Sequence, residues 1–182
     1  MGNDASKDAV ADGGVDEERK HDLVELLSED ARVSDSEIAH VVGVDEDDVE
    51  DLVEELEERG ILRGYQAVVD WSKLESSDHE GHVRAEVEVN VSLDRETGYD
   101  DVAERIVGFP EVKSLRLVSG NYDFDLEIEG SSMSEVSNFV SEKIAPIPEI
   151  TQTVTHFVMG TYKERGIEMR DGHDDDRLSV SP

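Results

Sequence analysis

Between Asp35 and Glu54 the chain reads DSEIAHVVGVDEDDVEDLVE, a spacing that suits two short helices crossing at close range. Ile38, Ala39, Val42, Val44, Val49 and Leu52 supply small or apolar side chains where such helices meet. Gly43 falls where the turn between them needs a residue tolerant of positive φ. Ser34 with Glu37 is a capping box for the first helix, and Asp45 with Asp48 offers a similar cap to the second. This is helix-turn-helix spacing, in which the second helix enters the major groove of DNA. Yet that second helix carries Glu46, Asp47, Asp48, Glu50, Asp51, Glu54, Glu55, Glu57 and Glu58, with only Arg59 to offset them. The spacing belongs to a DNA reader and the surface does not.

The acidity extends through the whole chain, with 47 Asp+Glu against 17 Lys+Arg over 182 residues and a formal net charge of -30. The acids are spread through segments with regular apolar periodicity, which argues against a disordered acidic tail. They suit a protein built for concentrated potassium chloride, as in a halophile. At molar salt the Debye length is only about 3 Å, so like charges on one surface hardly repel. There is no cysteine, which excludes disulfides, thiolate zinc sites and a cysteine nucleophile. The polar N-terminus lacks a signal-peptide core, and no run approaches the roughly 18 apolar residues of a membrane span. A cytoplasmic protein with no membrane partner is expected. No Gly-rich phosphate loop, GxSxG or distinct acid–base pair is present, so neither enzyme chemistry nor a cofactor is expected. His79, His82 and His156 have no metal-binding spacing, and His173 with Asp174, Asp175 and Asp176 reads as polar tail; no metal site is expected.

Periodicity divides the chain into parts. Residues 1–14 read as a disordered tail and 15–75 as a helical domain. In the latter, a helix over Glu17–Ser28 precedes the crossing pair, Gly60 ends the third helix, and Ile61–Val69 follows as a connecting strand. Trp71 is expected to pack between domains. Residues 76–81 form a linker. Within 82–163, Val83, Ala85, Val87, Val89, Val91 and Leu93 alternate strictly with polar residues, which gives a strand. Tyr99–Val107 has helical spacing, Val112–Ser119 and Asp123–Glu129 are strands about a Gly120–Asn121 turn, Ser132 and Glu135 cap a second helix, and Ile150–Met159 is the last strand. The order β-α-β-β-α-β is the ferredoxin-like arrangement. Residues 164–182 read as a polar tail. The fold class is therefore α+β: an N-terminal winged-type helix-turn-helix domain joined to a C-terminal ferredoxin-like domain.

The segments SEDARVSDSEIAHVVGV, LEERGILRGYQAVVD, FPEVKSLRLVSGNYDFDLEIEG and ITQTVTHFVMGTYKE occur in an order and spacing that resembles the Lrp/AsnC family of transcription regulators, over about Val15 to Gly166. The chain looks like a haloarchaeal branch of it. The resemblance implies a regulator that binds double-stranded DNA, forms a homodimer and higher homo-oligomers, and senses an amino-acid effector through its C-terminal domain. It places the ligand site at Gly120, Asn121, Tyr122 and Asp123, with Gln152 and Thr153 of the last strand completing it. Asp123 offers an acceptor to the effector's ammonium and the glycine loop offers N–H donors to its carboxylate. Relatives usually present Ser, Thr, Arg or Lys toward DNA, where this chain presents Glu46, Asp47, Asp48, Glu50 and Asp51. Carboxylates can accept from cytosine N4. Ser34 and Ser36 open the first helix of the pair, and Arg32, His40, Arg59 and Arg63 are candidates for phosphate contact. The alternative reading is a metabolite sensor or assembly module that has lost DNA binding and acts through a hetero-oligomer with a more basic related regulator. A regulatory domain of an amino-acid enzyme is disfavoured, since no catalytic domain is attached.

Overall fold

The structure is a computed structural model that describes residues 8–73, 81–95 and 97–169. The chain divides into two compact units at Ala67/Val68.

The first unit is built on three helices, α1 (Asp8–Glu29), α2 (Asp35–Val42) and α3 (Val49–Glu58). Leu23, Ile38, Ala39, Val42, Val49 and Leu56 are buried together, and Leu52, Val44 and Leu62 pack against them. The apolar stripe read from the sequence therefore faces inward. Ser34 caps α2, its hydroxyl accepting the Glu37 N–H at 3.3 Å. Gly43 sits at φ 73°, and the N–H groups of Gly43 and Val44 both donate to the Ala39 carbonyl. A side chain at this φ would strain the backbone. Gly60 closes α3 the same way, at φ 66°, with Gly60 N–H donating to Glu57 O and Ile61 N–H to Leu56 O. These two bonds are the paired bonds of a Schellman stop.

Four local expectations are corrected here. Residues 8–14 belong to α1, because two glycines cost a helix only about 1 kcal/mol each against favourable neighbours; residues 1–7 of the expected tail lie outside the described residues. The third helix is divided: Glu46–Asp48 forms a 3-10 turn before α3. Asp45 makes no side-chain cap bond, since its own backbone carbonyl takes the Asp48 N–H at 3.0 Å. Ile61–Val69 is not a strand, because the described residues of this unit contain no other strand to complete a ladder. The Tyr65 hydroxyl fastens that stretch to α3 by donating to Glu57 Oε1 at 3.1 Å.

Lys20 of α1 is the one buried charged residue among those described. Its Nζ lies 2.8 Å from Glu55 of α3 and 3.9 Å from Glu17, while Arg59 reaches the same two carboxylates at 3.2 and 3.4 Å. Two cations thereby tie α1 to an otherwise acidic helix.

In the second unit the strands are β1 (Val83–Val91), β2 (Val112–Leu117), β3 (Phe124–Gly130) and β4 (Ile150–Phe157), with α4 (Tyr99–Val107) and α5 (Met133–Phe139) between them. They form one antiparallel sheet in the order β2-β3-β1-β4. Ala85, Val87 and Val89 of β1 and Phe124, Leu126 and Ile128 of β3 point to one face, where Val102 and Ile106 of α4 and Val136, Phe139, Val140 and Ile144 cover them. Alternation with a period of two set that face. The other face carries Arg84, Glu86, Glu88 and Asn90 beside Asp125, Glu127 and Glu129. Ser132 caps α5, its hydroxyl accepting the Glu135 N–H at 3.2 Å, while Glu135 reaches back to the Ser131 N–H at 2.6 Å, one residue short of a full capping box. The helix continues through a π turn over Val140–Ile144.

Further departures occur at the edges of this unit. Trp71, within a 3-10 turn, stacks on His82 with ring centroids 4.5 Å apart inside the second unit. The linker over 76–80 lies outside the described residues. The expected polar tail begins instead with a short hairpin, β5 (Lys163–Glu164) and β6 (Ile167–Glu168), tied to β1 by Arg84 and Glu164 at 2.9 Å. Residues 170–182, including His173 to Asp176, lie outside the described residues.

Candidate DNA interface and sensing loop

Burial sorts the first unit's residues into a clasp and a coat. Beneath the surface lie Ile38, Ala39, Val42 and Val49; outside, Asp45, Glu46, Asp47, Asp48, Glu50, Asp51, Glu54, Glu57 and Glu58 are all exposed. The α3 dipole tempers this slightly, because Glu50 and Asp51 sit in its first turn, where negative charge is favoured. Ser36 and His40 are exposed on α2, Ser34 is its cap, and Arg32 is exposed just before it with its backbone N–H donating to Asp30 Oδ1 at 2.8 Å. Arg59 is held by Glu17 and Glu55, which raise its pKa, the Glu55 hydrogen bond first. The Arg63 guanidinium folds back over Gly60, near enough that a Cβ there would lie 3.1 Å from it. The cationic candidates are thus separated along the sequence, while the carboxylates follow one another from Asp45 to Asp51.

The hairpin joining β2 and β3 is wider than a two-residue turn. Leu117 pairs with Phe124, and the loop between them is closed by the Val118 N–H donating to the Asp123 carbonyl at 2.9 Å. Gly120 holds φ 149°, which suits glycine. Gly120 and Asn121 are exposed; Tyr122 and Asp123 are half-buried. The reason for the width is Asp123, which is drawn down onto β1. Its N–H donates to Val89 O at 2.9 Å, one carboxylate oxygen accepts the Val91 N–H at 2.8 Å, and the other accepts the Tyr99 hydroxyl at 3.1 Å. Asn90 Nδ2 donates to the Asn121 carbonyl at 3.0 Å.

Of the two residues expected on the last strand, Gln152 lies opposite Asn90 and shares its face, so Asn121, Asn90 and Gln152 form one row. Thr153 lies opposite Val89 and turns to the helix-covered face. The sequence reading missed Asn90 and Tyr99 as partners of the loop. Tyr99 fits the apolar spacing of α4, and nothing local marks a phenol that reaches 24 residues along the chain. On α1, the exposed side chains of His21, Asp22 and Glu25 bring ligand atoms within 4.8 Å of one another, an arrangement common on acidic surfaces that hold no ion.

Comparison with known proteins identifies the family. The family model for the Lrp/AsnC ligand binding domain matches residues 84–167. The HTH-type transcriptional regulator YugG of Bacillus subtilis is 39% identical over 165 residues, covering 91% of this chain and 98% of that one. Among solved structures, Escherichia coli AsnC superposes with a TM-score of 0.58 at 22% identity, covering 80% or more of both chains (85% and 96%). A transcriptional regulator of Neisseria meningitidis solved as a complex with L-Met gives 0.61 at 22% identity, covering 80% of this chain and 91% of that one. The relatives are regulators, not enzymes, and no helix among the described residues is long and apolar enough to cross a membrane. Shared along nearly its whole length with a helix-turn-helix regulator, and carrying the family's ligand-binding domain, this chain belongs to the Lrp/AsnC family of transcription regulators.

Proposed function

We propose that this regulator binds duplex DNA in concentrated salt and responds to an amino acid or related metabolite. The observation that carries the reading is the intact clasp of Ile38, Ala39, Val42 and Val49 beneath a predominantly acidic coat. The 39% identity to an HTH-type transcriptional regulator over 91% of the chain supports the same role. Arg32, Ser34, Ser36, His40 and Arg63 would make the direct phosphate contacts, Arg59 would brace α3, and Glu46, Asp47, Asp48, Glu50 and Asp51 would approach phosphate through bound potassium or accept from cytosine N4. The net charge of -30 supports a haloarchaeal or similarly salt-accumulating source, and with it a cytoplasmic setting.

The second unit would sense the effector and join copies into a homodimer and larger rings. Gly120, Asn121, Tyr122 and Asp123 would form the sensing loop with Gln152 beside it, while Thr153, on the helix-covered face, would stand apart from it. The L-Met complex of the Neisseria relative supports an amino acid as the ligand class. The acidity of α3 favours one second reading, a sensor that works through a hetero-oligomer with a more basic regulator. Chromatin occupancy measured in cells at molar internal potassium separates the two. Discrete sites retained after deletion of related regulators support direct binding, and loss of all sites in those deletions supports the second reading. Thermal shift of the purified protein against the proteinogenic amino acids, one at a time, tests the effector class.

A further inference from the structure

The loop expected to hold an effector's ammonium is itself held, and the contacts holding it assign a role to a residue outside it. The pairing of β1 with β3 ends at Val89–Phe124, and the Val91 N–H, on the same side of β1 as Val89, lies just beyond that ladder. The Val91 N–H is satisfied by one Asp123 carboxylate oxygen at 2.8 Å. That bond alone would leave the carboxylate free to rotate about it. The second oxygen accepts the Tyr99 hydroxyl at 3.1 Å, which fixes the carboxylate plane.

Tyr99 is suited to that task. It is the first residue of α4, whose start is fixed by Asp101 Oδ2 accepting the Gly98 N–H at 2.6 Å. Its ring stands edge-on to Phe124, a buried core residue, with centroids 5.8 Å apart. The phenol is therefore anchored at both ends, by the core and by the carboxylate it orients. Each carboxylate oxygen has a second lone pair, so Asp123 can still accept from an ammonium once its plane is fixed.

We propose that Tyr99 is the positioning residue of the sensing loop: its hydroxyl sets the Asp123 carboxylate and locks the loop to the start of α4. This rests on the amino-acid reading only for the effector arm of its test. Tyr99→Phe removes the hydroxyl and keeps the ring. Amide hydrogen exchange of Val91 and Val118, which donate to Asp123, reads the lock without any ligand. In Tyr99→Phe both amides should exchange about tenfold faster, as loss of one hydrogen bond implies, with the melting temperature nearly unchanged. The amino acid that stabilises the wild-type protein most, found by screening the proteinogenic amino acids singly, should bind the variant about tenfold more weakly by calorimetry. Asp123→Asn, which keeps the shape and one acceptor oxygen, should loosen the same amides and serves if Tyr99→Phe folds poorly. Unchanged exchange in both variants overturns the proposal, and so does faster exchange with unchanged effector affinity. Faster exchange in a protein that answers no amino acid upholds the lock and overturns the amino-acid reading instead.

Discussion

Neutralising the acidic coat should reverse the salt response of DNA binding. In ordinary complexes each phosphate neutralised by Lys or Arg releases counterions, so log K falls with log[salt] by about 0.9 per contact. Per protomer, Arg32 and Arg63 would give a slope of about -1.8 if both met phosphate. The five carboxylates Glu46, Asp47, Asp48, Glu50 and Asp51 are all exposed at the leading end of the third helical segment. One brought against phosphate must take up about one cation, contributing a slope of roughly +0.9. Two facing carboxylates cancel the arginines, and five leave a net slope of about +2.7 per protomer. The wild-type protein should therefore hold or gain affinity as KCl rises through the molar range. The triple variant Glu46→Gln, Asp47→Asn, Asp48→Asn should move the slope downward by up to about 2.7 per protomer, to about zero if all five carboxylates face phosphate and to about -1.8 if only those three do. Fluorescence anisotropy on a duplex selected from a random pool in molar KCl gives both slopes. A wild-type slope as negative as the arginines alone predict, or no difference between the two proteins, refutes cation-mediated docking.

Other outcomes follow from the packing and from the direction of the pKa shifts. Leu56→Ala, at a position with no solvent exposure, should cost about 2–5 kcal/mol of stability in the first unit, read by denaturant titration in high salt. Gly43→Ala meets no atom within 4 Å, so its cost is the positive φ alone, about 1–2 kcal/mol by the same titration; a neutral result would mean the turn relaxes. Burial first, then the Asp125 and Glu127 charges, hold the Glu86 carboxyl above its usual range. The folded state thus binds this proton more tightly than the unfolded chain, and its contribution becomes more favourable as pH falls through the raised pKa. Glu86→Gln should therefore raise the melting temperature at neutral pH, with the gain vanishing below the unfolded carboxylate pKa. The hydrogen bond to Asp123 raises the Tyr99 phenol pKa, so ultraviolet titration should show a tyrosine ionising above the ordinary range that moves down in Asp123→Asn.

The spacing of Ile38, Ala39, Val42 and Val49 and the alternation from Val83 to Leu93 were enough to predict which side chains would be buried, because each is a pattern of local period matched to one element. The same local rules mislead where a neighbour is decisive. Ile61–Val69 has strand composition and no strand beside it among the described residues of its unit. Asp45 has a capping side chain and a backbone carbonyl that takes the donor first. Asp123 looked like an open acceptor, and Val91, Val89 and Tyr99 are its partners.

By itself the sequence determined the two kinds of domain, their order, the inward faces of their helices and strands, and an acidic exterior, since all of these depend on residue type and periodicity. Only the tertiary structure decided which charges meet. Lys20 finds Glu55 across 35 positions and Tyr99 finds Asp123 across 24, pairings fixed by strand register and helix crossing and by nothing the residues carry alone. Hydrogen bonds need atoms within about 3 Å, and only the packed core brings distant segments that close.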